Sequence, residues 1–171
     1  MKQAITILML LSTIITLAQK GNNNIGIAAE VGVPFGVFEQ YNKLGVGGSV
    51  KGMLGIAKKG HITLTTGYTS FKVKGSTPET NAETNIIPIL AGYRHNFHHF
   101  FIEPQLGFGL YESKTKSFNG TNSDIESQIT WALGAGYLWH KLELGIRYQE
   151  GYKEGENTGL IGIHLGYNFL H

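Results

Sequence analysis

The feature that most limits what this chain can fold into is a period-two alternation repeated along nearly its whole length. Near residues 24–33, Ile25, Ile27, Ala29, Val31 and Val33 fall on one face, and Asn24, Gly26, Ala28, Glu30 and Gly32 on the other. The same pattern recurs near 44–57, 61–71, 86–97, 100–111, 128–139, 141–149 and 159–169, giving eight segments in all. In the last of them Ile161, Ile163, Leu165, Tyr167 and Phe169 oppose Gly162, His164, Gly166 and Asn168. Alternation of this kind places one face of a strand against an apolar surround and the other against something different.

Segment length decides between the two surrounds available. The segments run to about nine to fourteen residues. Strands of soluble proteins average roughly 5–6 residues, whereas a tilted strand needs about 9–11 to cross a bilayer. The non-apolar face is built largely from glycine, 24 of which occur in the 171 residues, about twice the usual roughly 7%. A face turned to water would carry more Lys and Glu, yet charged residues make up only 15% of the chain. Glycine and short polar side chains suit the crowded inside of a narrow barrel, with the apolar face turned to lipid.

The links between segments have a matching asymmetry. Those after the second, fourth and sixth segments are short: Lys58-Lys59-Gly60, Asn96 to His99, and His140-Lys141. Those after the first, third, fifth and seventh are longer, about 34–43, 72–85, 112–127 and 150–158, with Asn119 to Ser123 reading as a turn-rich tip. Short periplasmic turns alternating with longer extracellular loops is the pattern of outer-membrane barrels. Because backbone groups in hydrocarbon must all be paired within the protein, such a sheet has to close. The expected fold is therefore all-β, an eight-stranded antiparallel up-and-down transmembrane β-barrel. Tyr93, Phe97, Phe100, Tyr137, Trp139, Tyr167 and Phe169 are expected near the periplasmic interface, and Tyr68, Phe108, Trp131 and Tyr148 towards the loop ends.

The N-terminal stretch reads as a targeting signal. Lys2 precedes a largely apolar run from Ala4 to Leu17, and Thr16-Leu17-Ala18 supplies small residues at the −3 and −1 positions. The run is shorter than the roughly 20 residues of a spanning helix. The expected division is a signal peptide over 1–18 and a barrel domain over 19–171. No Cys follows, so a lipoprotein is not expected.

Function is less legible. With no Cys, a disulfide framework, a thiolate metal site and a cysteine nucleophile are excluded. Lys and Arg number 14 against 12 Asp and Glu, and no basic run of five residues occurs, so nucleic acid is not an expected partner. The inward positions carry Glu30, Lys51, Arg94, Glu103, Glu143, Arg147 and His164. Arg94 and Glu103 lie nearly opposite each other across the 96–99 turn, which predicts a cross-strand ion pair. Eight strands leave room for little beyond side chains, so the set is expected to be a structural polar network that plugs the lumen.

The seven histidines include His95, His98 and His99, but no carboxylate stands near them at metal-site spacing; no metal and no other cofactor is expected. Gly45-Val46-Gly47-Gly48 lacks the strand-to-helix setting and the Lys-Ser/Thr pair of a phosphate loop. A lipid-modifying barrel would need a His with Ser or an acidic partner near the outer leaflet. No His-x-Ser pair occurs on a lipid face, and Ser123-Asp124 is read as part of a long loop with no His nearby. No catalytic residue is assigned. Lys72-Val73-Lys74 and Lys114-Thr115-Lys116 are read as solvated loop positions within reach of lipopolysaccharide phosphates.

Several stretches together resemble a known family. They are IGIAAEVGVP (Ile25 to Pro34), LGVGGSVK (Leu44 to Lys51), IPILAGYR (Ile87 to Arg94), FIEPQLGFG (Phe101 to Gly109), LGIRY (Leu144 to Tyr148) and IGIHLGYNF (Ile161 to Phe169). In these the chain resembles the outer-membrane β-barrel domain common in Bacteroidota, similar in architecture to the small eight-stranded enterobacterial barrels. The resemblance implies a monomer in the outer membrane, in contact with its lipids and lipopolysaccharide, inserted by the outer-membrane assembly machinery and free to meet an extracellular partner through its long loops. It also implies that Tyr167 and Phe169 serve as the C-terminal insertion signal, although here Leu170 and His171 follow where family members usually end on an aromatic residue. The work expected is structural or loop-mediated interaction. A small porin-like pore or passive transporter is the alternative; a lipid A-modifying enzyme and a soluble secreted ligand-binding barrel stand further off.

Overall fold

A computed structural model describes residues 23–75, 81–117, 120–153 and 156–169. The proposed signal peptide, Asn119, Leu170 and His171 lie outside the described residues. The strands are β1 (Asn24–Phe35), β2 (Asn42–Gly55), β3 (Gly60–Val73), β4 (Asn81–Phe97), β5 (Phe100–Ser117), β6 (Gly120–Trp139), β7 (Leu142–Lys153) and β8 (Glu156–Asn168). Each pairs antiparallel with its neighbours in chain order, and β1 pairs with β8 to close the barrel. Closure leaves no sheet edge within the wall, which is what allows strands to stand in hydrocarbon. Among the described residues no helix is long and apolar enough to cross a membrane.

The alternation maps onto the two surfaces of the wall. Ile25, Ile27, Val46, Val50, Leu64, Ile89, Phe108, Leu133, Leu144 and Ile163 are exposed on the outside, an arrangement no water-facing wall would sustain. The outward aromatics sit as the alternation places them, with Phe97, Phe100, Tyr137, Trp139, Tyr167 and Phe169 exposed towards the short-turn end. Inward positions are buried, and they hold most of the buried polar groups, among them Glu30, Arg94, Glu103, Glu143 and Arg147.

The long links differ from the expectation. Residues 112–117 and 120–127 are not loop: they continue β5 and β6 as a paired ribbon, with Glu112 opposite Ile125 and Ser117 opposite Gly120. Gly120 to Ser123, read as a loop tip, lies in β6, and Ser123-Asp124 faces Ser113 and Lys114 across the ribbon. The physical reason lies in Ser113, Thr115, Asn122 and Ser123. Small polar residues are compatible with a hydrated strand as well as with a loop, and pairing with β5 settles the choice. As a result β4, β5 and β6 have 17, 18 and 20 residues, against 12 in β1 and β7. The link at 34–43 is also ordered. Gly36, at φ 67°, turns the chain into a short helix α1 (Val37–Tyr41); glycine accepts this left-handed conformation without the clash a Cβ would bring.

Candidate functional site

The lumen is where the charged side chains meet. Strand parity aims Arg94 of β4, Glu103 of β5, Glu143 of β7, Lys51 of β2 and His164 of β8 at one level near the short-turn end. Arg94 and Glu103 stand in the register bracketed by the pairs Gly92–Gln105 and His95–Ile102, and they form the predicted ion pair. Arg94 donates to Glu103 Oε2 from Nε at 2.9 Å and from Nη2 at 2.6 Å. It also donates to Glu143, from Nη1 at 2.7 Å and Nη2 at 2.9 Å. Lys51 Nζ donates to Glu103 at 2.9 Å and to Glu143 at 3.5 Å. His164 Nε2 lies 3.1 Å from Glu143 Oε1, and Gln105 donates to the remaining oxygen of Glu103 at 2.9 Å. Leaving His164 aside, two cations face two carboxylates, and each carboxylate oxygen has a donor. That matching offsets the several kcal/mol it costs to desolvate each ion.

Glu30 and Arg147 form a separate pair one level up, with Arg147 Nη2 donating to both Glu30 oxygens at 2.8 and 2.9 Å. Both groups again cancel. The structure thus brings five of the seven inward residues into one network and the other two into an adjacent pair.

Two features of the lumen are not apparent from its charges. The Arg94 guanidinium lies over Phe101, its Cζ 3.7 Å from the ring centroid, which adds a cation–π contact. Gly136 makes room for the ring, since a Cβ there would come within 2.6 Å of it. At the opposite, long-link end the lumen holds an apolar cluster: Phe71, Ile86, Tyr111 and Leu160 are buried together, Phe38 of α1 packs onto them, and buried Thr69, Gln128, Thr130 and Gln149 lie beside them. Phe38 meets Phe71 edge-on at 5.1 Å between centroids. Phe71 fits because Gly32 and Gly45 lack side chains, a Cβ on either coming within 2.7 Å of its ring. The lid is tied down by Lys74, whose backbone N–H donates to Tyr41 at 2.7 Å and whose Nζ donates to Glu39 O at 2.6 Å. Parity alone assigns Phe71, Ile86, Phe101, Tyr111 and Leu160 to the Gly face, so the signal for them was in the alternation.

The cavity lined by Glu30, Lys51, Glu103, Glu143 and Arg147 holds about 20 Å³, room for about one water. A wider vestibule of about 280 Å³ opens at the short-turn end beside Asn24, Met53, His61, Arg94 and His140. Among the described residues no group of His, Asp and Glu is arranged to hold a metal ion.

Outside the wall, above the apolar band, Glu112 accepts hydrogen bonds from Lys114 at 2.8 Å and Asn85 at 3.1 Å. Lys114 chiefly, and then Asn85, hold its carboxyl below the usual carboxylate range, and Glu112 in turn raises Lys114. Beyond this level β6 parts company with β7. Their pairing begins at Ile129–Tyr152, so among the described residues no strand pairs with the β7 side of 120–128. Residues 122–127 are all exposed.

Residues 5–169 match the family described as the outer membrane protein beta-barrel domain. Among solved structures, the Ail attachment invasion locus protein of Yersinia pestis, in complex with the heparin analogue sucrose octasulfate, superposes with a TM-score of 0.69 at 14% identity, covering 86% of this chain and 97% of that one. Neisserial surface protein A superposes at 0.60 with 13% identity, over 87% of this chain and 98% of that one. The N-terminal barrel of Pseudomonas aeruginosa OprF gives 0.54 at 14% identity, over 87% and 98%. No curated protein matches the chain significantly by sequence.

Proposed function

The chain belongs to the outer membrane protein beta-barrel domain family, and from that premise we propose that this outer-membrane barrel is a sealed anchor that works at its extracellular end through strand-mediated interaction. The observation that carries the reading is the β5–β6 ribbon, which rises above the apolar band and whose residues 120–128, among the described residues, pair with no strand on the β7 side, where Lys153 Nζ meets Glu126 at 3.2 Å. An open strand edge offers a row of backbone donors and acceptors to an incoming extended segment. Ile125, 60% exposed, supplies one apolar contact on an otherwise polar edge. The partner class is an extracellular polypeptide able to add a strand.

The same reading takes residues 1–18 as the signal peptide of a Bacteroidota-type protein and 19–171 as its barrel. It takes Tyr167 and Phe169, both outward on β8's lipid side, as the signal read by the assembly machinery, and the folded protein as a monomer among lipids and lipopolysaccharide. The lumen set of Glu30, Lys51, Arg94, Glu103, Glu143, Arg147 and His164 is a structural plug with no enzymatic role. The vestibule of about 280 Å³ favours the rival reading, a narrow pore, but the cavity of about 20 Å³ beyond it argues for a closed path.

The test removes the end of the ribbon, together with the pairing of Ser113–Lys116 to residues 81–84 of β4, and keeps the β5–β6 pairs from Glu112–Ile125 onward. Because Glu112 faces Ile125, residues 113–124 can be replaced by Asn-Gly, the two-residue turn that suits a hairpin. Cells expressing the full chain should adhere to surfaces coated with extracellular proteins, and cells expressing the shortened chain should lose most of that adhesion while the barrel keeps its boiling-dependent gel shift. Equal adhesion by both would overturn the assignment to the ribbon.

A further inference from the structure

We propose that the periplasmic end of the wall holds an anionic phospholipid of the inner leaflet, with an acyl chain in a groove over Ala135 and its phosphate among the 98–99 and 140–141 turns. The proposal concerns the opposite end of the molecule from the ribbon and stands apart from it.

The groove follows from one small residue in a large-residue row. On the lipid face, register aligns Ile102, Ala135, Ile146 and Ile163 across four strands. Below them it aligns Phe100, Tyr137 and Leu144. Ala135 is the only position in these rows without a bulky side chain, and the backbone at Gly136 and Gly145 forms part of the floor. The depression measures about 680 Å³ and is shallow, open along the lipid face. Its walls are aliphatic and aromatic, so an alkyl chain is the matching occupant.

The mouth of the groove is polar and positive. His98 and His140 each sit at positive φ, 57° and 55°, in tight turns where His is tolerated better than most residues. The Leu138 N–H donates to His99 O at 2.6 Å, which fixes the first turn against β6, and the His99 ring stacks near Tyr137 at 5.6 Å. Lys141 completes the mouth. The three short turns, with His95 at the end of β4 beside them, together carry Lys58, Lys59, Lys141, His98, His99 and His140, and no Asp or Glu. The lumen takes Glu30, Glu103 and Glu143; every other carboxylate falls in sequence on the long links or the strand ends that meet them. This end therefore offers ammonium groups and ring N–H donors with no competing acid. A zwitterionic headgroup gains little there, whereas a phosphatidylglycerol or cardiolipin phosphate keeps a net charge to be attracted, worth about fivefold in binding per lysine near the surface.

Trp139 makes the site measurable. It is 64% exposed at the groove mouth, while the second tryptophan, Trp131, lies in the half nearer the long links. Trp131→Phe leaves one reporter. The full chain is reconstituted in vesicles of phosphatidylethanolamine doped with brominated phosphatidylglycerol or, in parallel, brominated phosphatidylethanolamine, and Trp139 quenching is followed at equal mole fraction. The expected result is quenching at several-fold lower mole fraction of the brominated anionic lipid. Ala135→Phe, which fills the groove, and a combined His98→Gln, His99→Gln, Lys141→Gln variant, which strips the mouth, should each bring the two lipids to near equality while the heat-dependent gel shift persists. Equal quenching in the parent barrel overturns the proposal. So does a preference that survives Ala135→Phe, because attraction to the turns alone would then account for it.

Discussion

The two ends of the lumen close the barrel by opposite chemistry. At the short-turn end, Arg94 and Lys51 are neutralised by Glu103 and Glu143 within hydrogen-bond distance. At the long-link end, Phe71, Ile86, Tyr111, Leu160 and Phe38 pack together beside buried Thr69, Gln128, Thr130 and Gln149. The charged end is sensitive to the loss of any partner, because what remains is an uncompensated ion in a low-dielectric space. The apolar end is sensitive to volume. On the proposed reading either end interrupts a water path, and the two seals act in series.

That comparison can be broken at several strengths. Arg94→Ala should have the largest effect, leaving Glu103 and Glu143 with Lys51 as their remaining cation. Loss of one partner of a buried pair costs about 3–5 kcal/mol, and urea unfolding of the lipid-folded barrel should show a midpoint shift of that order. Replacing Arg94, Glu103 and Glu143 together with Leu, Met and Leu should cost much less, since apolar residues of similar volume can substitute for a balanced ion network. A triple variant as unstable as the single one would contradict the account of the network as a matched set.

Phe71→Ala comes next. Removing a buried Phe costs about 3–5 kcal/mol, at the lower end when the site can collapse, and α1 can settle into the space. Phe38→Ala should cost about 1 kcal/mol or less, because Phe38 is only half-buried and the lid keeps its ties to Lys74. Neither should create conductance, because the charged end remains closed. Conductance in Phe38→Ala alone would show that the apolar end is the only seal.

The smallest effect belongs to the exposed Glu112–Lys114 pair. Since Glu112 is lowered, its contribution is present above the ordinary carboxylate range and is lost as pH falls through its folded value. Since Lys114 is raised, its contribution is present below the ordinary lysine value and is lost as pH rises through its folded value. Lys114→Gln should leave the unfolding midpoint near neutral pH unchanged within error, as solvent-screened pairs generally do. A clear midpoint shift would mean that the ribbon base bears on the stability of the wall.

The same two regions show what could be read from sequence. The strand number, the closure, the lipid-facing rows and the Arg94–Glu103 pair all follow from parity, which in a closed sheet leaves a side chain only two places to go. The inward rings at both ends followed from parity too, but Phe71, Phe101 and Tyr111 are residue types that a membrane barrel also uses for its interfaces, so type and parity pointed different ways. The glycines opposite them resolve the conflict: Gly32, Gly45 and Gly136 are spaces for rings. The extent of β5 and β6 beyond the bilayer was not legible. Hydrated strand and hydrated loop share the composition of residues 112–127, and only cross-strand pairing tells them apart. The short helix at 37–41 was missed for a related reason: its five residues carry no helical period, and it is held by Lys74, just past the end of β3.

Conductance across a planar bilayer tests the sealed lumen most directly. The full chain, folded and verified by its boiling-dependent gel shift, is inserted and held under voltage in high salt. The account predicts a current indistinguishable from the protein-free bilayer. Steady, voltage-ohmic steps that scale with the amount of inserted protein would contradict it and make the barrel a pore.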